Sequence, residues 1–91
     1  MSFEVKVHPE VLKFIKELDK KTQKRIKESL NLLRDEPFRS RPKADIKILK
    51  GTKGRQDLLR LRIGNFRVIY SVEEKIVWVT DIFRRGKGYR D

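Results

Sequence analysis

Residues 58–72 read Leu58-Leu-Arg-Leu-Arg-Ile-Gly-Asn-Phe-Arg-Val-Ile-Tyr-Ser-Val72, and this stretch decides the fold. Apolar residues alternate with arginine in its first part, which is the period of a half-buried β-strand. Gly64-Asn65 predicts a two-residue hairpin turn, with glycine at the first central position, where φ must be positive. A return strand from Phe66 to Val72 completes the predicted hairpin.

The length of this turn also predicts which residues face each other across the hairpin. Arg62 is expected opposite Arg67, and Leu61 opposite Val68. Cross-strand partners project to the same side of a sheet. One face is therefore expected to carry Leu59, Leu61, Ile63, Phe66, Val68 and Tyr70, and the other face Arg60, Arg62 and Arg67.

Three arginines gathered on one face need an explanation. Like charges directly opposite each other destabilise a sheet by some tenths of a kcal/mol. A surface that binds a polyanion would gather such charges, and the planar guanidinium fork suits phosphate. The alternative is the solvated face of a sheet in a very basic protein. The opposed Arg62 and Arg67 favour a binding face over that alternative.

The charge of the whole chain indicates the same kind of partner. The 91 residues, which we expect to form one domain, carry a net charge of +11. Residues 1–45 contribute +4 and residues 46–91 contribute +7, so the excess is concentrated in the strand-rich half. This imbalance is typical of a nucleic-acid-binding surface. A membrane surface is the weaker alternative, because no basic amphipathic helix with aromatic residues on its apolar side occurs.

Several other functions are excluded by composition. The chain has no cysteine and its only histidine is His8, so thiolate metal sites and histidine pairs are ruled out. We expect no metal and no cofactor, and we expect His8 to cap or pack beside the helix that begins at Pro9. No apolar run approaches ~18 residues and no signal-peptide pattern is present, which predicts a soluble cytoplasmic protein. Charged residues make up 41% of the chain, a composition typical of thermophiles.

The remaining patterns predict an α+β fold in which a two-helix hairpin packs on a small, mostly antiparallel sheet, in the order β-α-α-β-β-β-β. Helical spacing of apolar residues predicts helices over 9–18 and 20–34, the second capped by Asp19. A turn is expected at Glu73-Glu74. Further strands are expected over 3–7, 46–50 and 76–83, the last of them interior to the sheet.

This order of elements, with three short motifs, resembles the RelE toxins of the RelE/ParE superfamily, and archaeal RelE in particular. The motifs are Leu49-Lys50-Gly51, Leu59-Arg-Leu-Arg-Ile-Gly-Asn-Phe-Arg-Val-Ile-Tyr70 and Arg85-Gly-Lys-Gly-Tyr89. The resemblance covers nearly the whole chain, as one domain over 1–91. It implies the toxin of a type II toxin–antitoxin system, a messenger RNA interferase that cuts in the ribosomal A site. It also implies a RelB-type antitoxin as partner.

The resemblance further implies the site residues. Arg62, Arg67, Arg85 and Tyr89 are expected to be catalytic. Contacts to RNA or the ribosome are expected from Arg60, Lys50, Lys53, Arg55, Arg84 and Lys87. Bacterial RelE has lysines where this chain has Arg60 and Arg62, and one of those lysines is thought to act as a base. Arginine essentially never loses its proton in a protein, so the general base is not identified.

Two other functions remain open at this point. A gyrase-directed toxin of the ParE branch would share the scaffold without nuclease chemistry, although this chain keeps the basic-plus-tyrosine ending of the RNA-cleaving branch. A non-catalytic RNA-binding module is the other alternative. Three single residues also have expected places. Tyr70 is expected in the core, and Asp81 could pair with Arg67 across strands. Trp78 lies either in the core or in the contact with the antitoxin.

Overall fold

A computed structural model of the chain describes residues 2–49 and 58–86. The elements are strand β1 (Glu4–Val7), helices α1 (Pro9–Lys16) and α2 (Lys20–Leu32), and strands β2 (Asp45–Leu49), β3 (Leu58–Ile63), β4 (Phe66–Glu73) and β5 (Ile76–Arg84). This is the α+β class and element order expected from the sequence. No helix in these ranges is long and apolar enough to cross a membrane.

Both helices end two residues earlier than predicted, because i→i−3 bonds replace the α-helical pattern after Lys16 and after Leu32. The carboxylate of Asp19 accepts a hydrogen bond from the backbone N–H of Thr22, and the extended backbone of Asp19 breaks the chain between α1 and α2. The Thr22 hydroxyl donates to the same carboxylate at 2.6 Å, and these bonds lower the pKa of Asp19. After Leu32, i→i−3 bonds from Arg34 and Asp35 tighten the last turn and end the helix.

The five strands form one sheet in the order β1-β5-β4-β3-β2. β1 lies parallel to β5, and the other neighbours are antiparallel. β5 therefore has a strand on each side, which confirms its predicted interior place. The helices form the crossover between the first strand and the rest of the sheet.

The predicted register of the β3–β4 hairpin is confirmed. Gly64 has φ +56°, as its place in the turn requires, and Arg62 lies opposite Arg67. An added Cβ at Gly64 would lie 2.9 Å from Nη1 of Arg25 on α2, a side-chain tip that can move aside, so it is the backbone angle that requires glycine here.

The predicted apolar face of the hairpin is buried under the helices. Its members are all buried: Leu59, Leu61, Ile63, Phe66, Val68 and Tyr70. Val11 and Ile15 of α1, and Ile26 and Leu30 of α2, belong to the same core cluster. Full burial of an aliphatic side chain is worth about 1.5–3 kcal/mol, so this face holds the helices onto the sheet.

The second hairpin turn lies one residue later than predicted. β4 continues to Glu73, which pairs with Ile76, so the turn residues are Glu74 and Lys75. Their φ angles are 50° and 67°. Both central residues of a type I′ turn need positive φ, which costs a non-glycine residue about 1–2 kcal/mol each. No glycine or asparagine marks this turn, so the local sequence does not fix the exact position of the turn.

A β-bulge between β4 and β5 changes which side chains share a face. Ile69 pairs with Asp81 but Tyr70 pairs with Val79, so Thr80 is the extra residue. Arg67 consequently lies opposite Phe83. Asp81 lies opposite Ile69, so it is a diagonal neighbour of Arg67 and not its direct cross-strand partner.

Tyr70 joins the loop after α2 to the sheet, which confirms its predicted place in the core. Its side chain is fully buried, and its hydroxyl donates to the carbonyl oxygen of Pro37 at 2.6 Å. Burial raises the pKa of Tyr70 above its usual value. In the same loop, Arg41 donates to the carbonyl oxygens of Leu32 and Glu36. These bonds fix the path of the chain between α2 and β2.

We expect Tyr70→Phe to lower the free energy of unfolding by about 1–2 kcal/mol, because the Pro37 carbonyl would stay buried without its donor. For a domain of this size the melting temperature should fall by roughly 5–15 °C in a calorimetric scan. Thr80→Val is the control, since it removes a hydroxyl from an exposed position. An unchanged melting temperature in Tyr70→Phe would contradict the anchoring role of this bond.

Candidate nucleic-acid interface

Arg62 and Arg67 form the centre of the face opposite the helices, which we call the arginine face and define by Arg60, Arg62 and Arg67. Ile63 and Phe66 close the two-residue turn, so Arg62 and Arg67 occupy the next pair along the hairpin. In such a non-hydrogen-bonded pair the Cβ atoms are about 4.5–5.5 Å apart. The fold therefore places two positive side chains side by side, as the sequence predicted.

The two members of this pair differ in exposure. Arg62 is exposed, whereas Arg67 is only 9% exposed and its Nη1 lies 3.5 Å from the carbonyl oxygen of Phe66. A guanidinium held among packed neighbours does not need to be ordered when an anion arrives. The pair thus combines one accessible charge with one charge that is already fixed in place.

Arg60 has a different environment from Arg62. It is 6% exposed, and its Nη2 donates to Oδ1 of Asp45 at 3.0 Å. Asp45 lies directly opposite Arg62 in the sheet, yet its carboxylate bonds diagonally to Arg60. The structure therefore brings Arg60 to the predicted face but compensates its charge within the sheet, which leaves Arg62 as the exposed arginine of the three.

The register places four side chains in one row across the arginine face. Asp45 on β2 lies opposite Arg62 on β3, Arg62 opposite Arg67 on β4, and Arg67 opposite Phe83 on β5. A carboxylate, two guanidinium groups and an aromatic ring thus follow one another at the spacing of neighbouring strands, which is about 4.8 Å. Such a row is long enough to contact a phosphate and an adjacent base together.

Arg84 and Arg85 lie at the same end of the sheet, beside the β3–β4 turn. The backbone N–H of Arg85 donates to the carbonyl oxygen of Asn65. The guanidinium of Arg84 lies 5.2 Å from the centre of the Phe66 ring, on the helix side of the sheet. Both arginines line a cleft with Asp19. Arg85 is therefore close to the hairpin tip, while Arg84 lies on the other face from the Arg62–Arg67 pair.

Five predicted site residues lie outside the described residues: Lys50, Lys53, Arg55, Lys87 and Tyr89. Sequence reasoning missed two residues that the structure places here, Asp45 and Arg25. Asp45 would have been found by extending the strand register from β3 to β2. Arg25 carries no local signal, because its contact with the hairpin turn depends on how α2 crosses the sheet.

Two further residues have defined places away from the arginine pair. His8 caps α1, its Nδ1 accepting from the backbone N–H of Glu10 at 3.1 Å, which confirms the predicted capping role. Trp78 is 37% exposed, with Lys6 Nζ 5.5 Å from the centre of its ring. Of the two alternatives for Trp78, a place in the core is therefore wrong.

Comparisons with known proteins agree with this geometry. Residues 5–89 match the family described as the ParE toxin of the type II toxin–antitoxin system parDE. The chain is 38% identical over 93 residues to a curated protein assigned as toxin RelE1 in Methanocaldococcus jannaschii, covering 100% of this chain and 99% of the relative.

The fold recurs in solved structures, among them two toxin–antitoxin complexes. The archaeal RelE–RelB complex from Pyrococcus horikoshii OT3 contains a chain with a TM-score of 0.82 and 38% identity, covering 97% of this chain and 100% of that one. A RelB–RelE antitoxin–toxin complex from Methanococcus jannaschii has a TM-score of 0.61 and 22% identity, covering 86% of this chain and 87% of that one. At that lower identity the second match shows the fold alone.

The bond between Arg60 and Asp45 generates a stability prediction. We expect Asp45→Ala to lower the free energy of unfolding by about 1–2 kcal/mol, because Arg60 stays buried while losing a carboxylate. The loss should be smaller than for a fully buried pair, since the Asp45 side chain is 52% exposed. Lys47→Ala, on the same strand and exposed, is the control. Equal denaturant midpoints for the two variants would show that the bond contributes nothing.

Proposed function

Because the chain belongs to the ParE toxin family of type II toxin–antitoxin systems, we propose that it is an endoribonuclease that cuts messenger RNA in the ribosomal A site. The observation that carries this proposal is the Arg62–Arg67 pair, exposed on one side and fixed on the other. The full-length likeness to archaeal RelE supports the nuclease over other members of the family. The net charge of +11 supports an RNA partner.

RNA cleavage by a neighbouring 2′-hydroxyl has three requirements. The hydroxyl must line up with the phosphate, the added negative charge must be neutralised, and the leaving 5′-oxygen must gain a proton. In this proposal Arg62 and Arg67 hold the scissile phosphate, and preorganised charges of this kind are worth several kcal/mol. Arg85 stabilises the transition state or the leaving oxygen, and Tyr89 stacks on a base or touches the hydroxyl.

The chain brings little proton-transfer capacity to this site. Arginine remains protonated, and His8 is engaged in capping α1. Such a site neutralises charge but does not accept a proton. Its rate therefore depends strongly on an RNA strand whose 2′-hydroxyl is already aligned with the scissile phosphate. We therefore propose that the ribosome supplies this alignment, and that free messenger is cut poorly.

In a translation extract programmed with a defined message, we expect cuts at the A-site codon. Arg67→Ala should reduce the cleavage rate by about a hundredfold, the usual effect of removing one preorganised transition-state donor. Arg62→Ala and Arg85→Ala should also reduce it. Arg34→Ala, which removes an exposed arginine at the far end of α2, is the matched control. Primer extension on the recovered message measures the cuts.

Other outcomes of this experiment would assign the other functions. DNA breaks that require gyrase, with the message intact, would make the chain a ParE-type toxin. Ribosome binding with a steep salt dependence but no cut message would make it an RNA-binding module. Cleavage at the wild-type rate in Arg67→Ala would show that the arginine pair takes no part in the chemistry.

We also propose a RelB-type antitoxin as partner of this chain. The Pyrococcus horikoshii RelE chain, which is 38% identical to this one, was solved as a complex with RelB. A small acidic antitoxin would neutralise the positive surface on which the proposed chemistry depends. Ribosomes and antitoxin would then compete for the same arginines.

The purified complex with such an antitoxin should leave programmed message intact, whereas the free chain cuts it. Adding increasing amounts of antitoxin to the free chain should lower the cleavage rate in proportion to the complex formed. Arg34→Ala should be inhibited as the wild type is. A complex that cuts as fast as the free chain would show that the partner does not inhibit by covering this surface.

A further inference from the structure

A second positive surface surrounds the tip of the β3–β4 hairpin and meets the arginine face at Arg62. The cleft beside Asn65 holds Arg84 and Arg85. A shelf on α2 shares Thr22 with that cleft, and a hollow between α2 and β3 shares Arg25 with the shelf. We call this continuous depression the tip groove and define it by its cations: Lys21, Lys24, Arg25, Lys43, Arg62, Arg84 and Arg85.

Arg25 is at the centre of the tip groove and lies beside the β3–β4 turn. Its guanidinium lies against the Gly64 turn, so near that a Cβ there would come within 2.9 Å of Nη1 and 3.2 Å of Cζ. Arg25 is exposed. Its planar guanidinium can therefore present its fork of donors to a phosphate at the hairpin tip.

The carboxylates around the tip groove are mostly engaged elsewhere. Asp19 accepts hydrogen bonds from Thr22 as the cap of α2, and Asp45 accepts from Arg60. Glu28 is the remaining acidic residue along the shelf. Within the described residues, no carboxylate forms an ion pair with any of the seven cations that define the groove. The groove therefore keeps a strong positive charge for a ligand.

The shape and composition of the tip groove indicate which form of RNA it fits. Single-stranded RNA is bound largely by stacking of bases on aromatic rings, and folded RNA largely by its phosphates and shape. The one aromatic ring lining the groove, Phe66, is buried and has the Arg84 guanidinium against it. The arginine face, by contrast, carries Phe83 and Trp78.

We propose that the tip groove binds the phosphate backbone of folded RNA, as a contact separate from the strand held by Arg62 and Arg67. This inference rests on the proposed function, because the ribosome is the folded RNA that such an enzyme would meet. Arg62 lines the groove and also lies on the arginine face, so the two surfaces are continuous. The groove cations outside the proposed catalytic set supply affinity and orientation, and the Arg62–Arg67 pair supplies chemistry; those cations are Lys21, Lys24, Arg25, Lys43 and Arg84.

The test uses the full-length free chain with Arg25→Gln and Lys43→Gln together. We expect its dissociation constant for programmed ribosomes to rise on the order of tenfold at fixed salt, and the slope of log K against log salt to fall by about 0.7–0.9 per charge removed. Binding to a short single-stranded RNA, and the cleavage rate at saturating toxin, should stay within about twofold. Lys13→Gln with Lys16→Gln, two exposed α1 lysines outside the groove, is the matched control.

The variants also separate the possible outcomes. If Arg25→Gln unfolds the chain, Lys24→Gln with Lys43→Gln tests the same groove without touching the turn. Ribosome binding equal to that of the α1 control, or an equal loss on single-stranded RNA, would overturn the proposal. So would a loss of antitoxin affinity with ribosome binding unchanged, which would assign the groove to a protein. If ribosome affinity falls in the groove variants but no message is cut even by the wild type, the groove inference stands and the proposed nuclease activity is wrong.

Discussion

The two-residue turn at Gly64-Asn65 is the constraint on which the rest of the structure depends. A loop longer or shorter by one residue would shift the return strand by one position. The inward and outward side chains of that strand would then be exchanged. As built, the turn puts six apolar side chains under the helices and three arginines on the other side. The same geometry that forms the core therefore forms the positive surface. The helix layer is positioned by the same apolar face, because its buried residues belong to one core cluster with the hairpin.

Most of the fold could be predicted because its signals are local. Alternation in residues 58–63, the glycine at the turn and the cap at Asp19 each act over a few residues, and all agreed with the structure. The β-bulge at Thr80 is not predicted by the sequence, and the turn at Glu74–Lys75 lies one residue later than predicted. Neither has a favourable local sequence: the pairing of the flanking strands imposes positive φ on Glu74 and Lys75, at a local cost that the sheet repays.

The site was harder to predict than the fold, for a related reason. The sequence shows that Arg60, Arg62 and Arg67 share a face, but it does not show how each charge is compensated. The structure separates them: Arg60 is bonded to Asp45, Arg67 is buried beside Phe66, and Arg62 is exposed. These differences depend on β2, which lies far from the hairpin in sequence, and on the bulge that sets Phe83 against Arg67.

The use of arginine rather than lysine at these positions has a chemical consequence. Lysine can lose its proton when its environment lowers its pKa, and so can serve as a base, whereas arginine is a permanent charge. A surface of permanent charges binds phosphate at every pH at which the chain is folded, but it leaves proton transfer to other groups. Water or the RNA itself must then accept the proton, which slows any reaction that is not aligned by its surroundings. An enzyme built in this way gains its rate from the place where it binds. If the chain is the nuclease proposed above, the surface proposed to attach it to a large folded RNA matters as much as the pair proposed to hold the scissile phosphate.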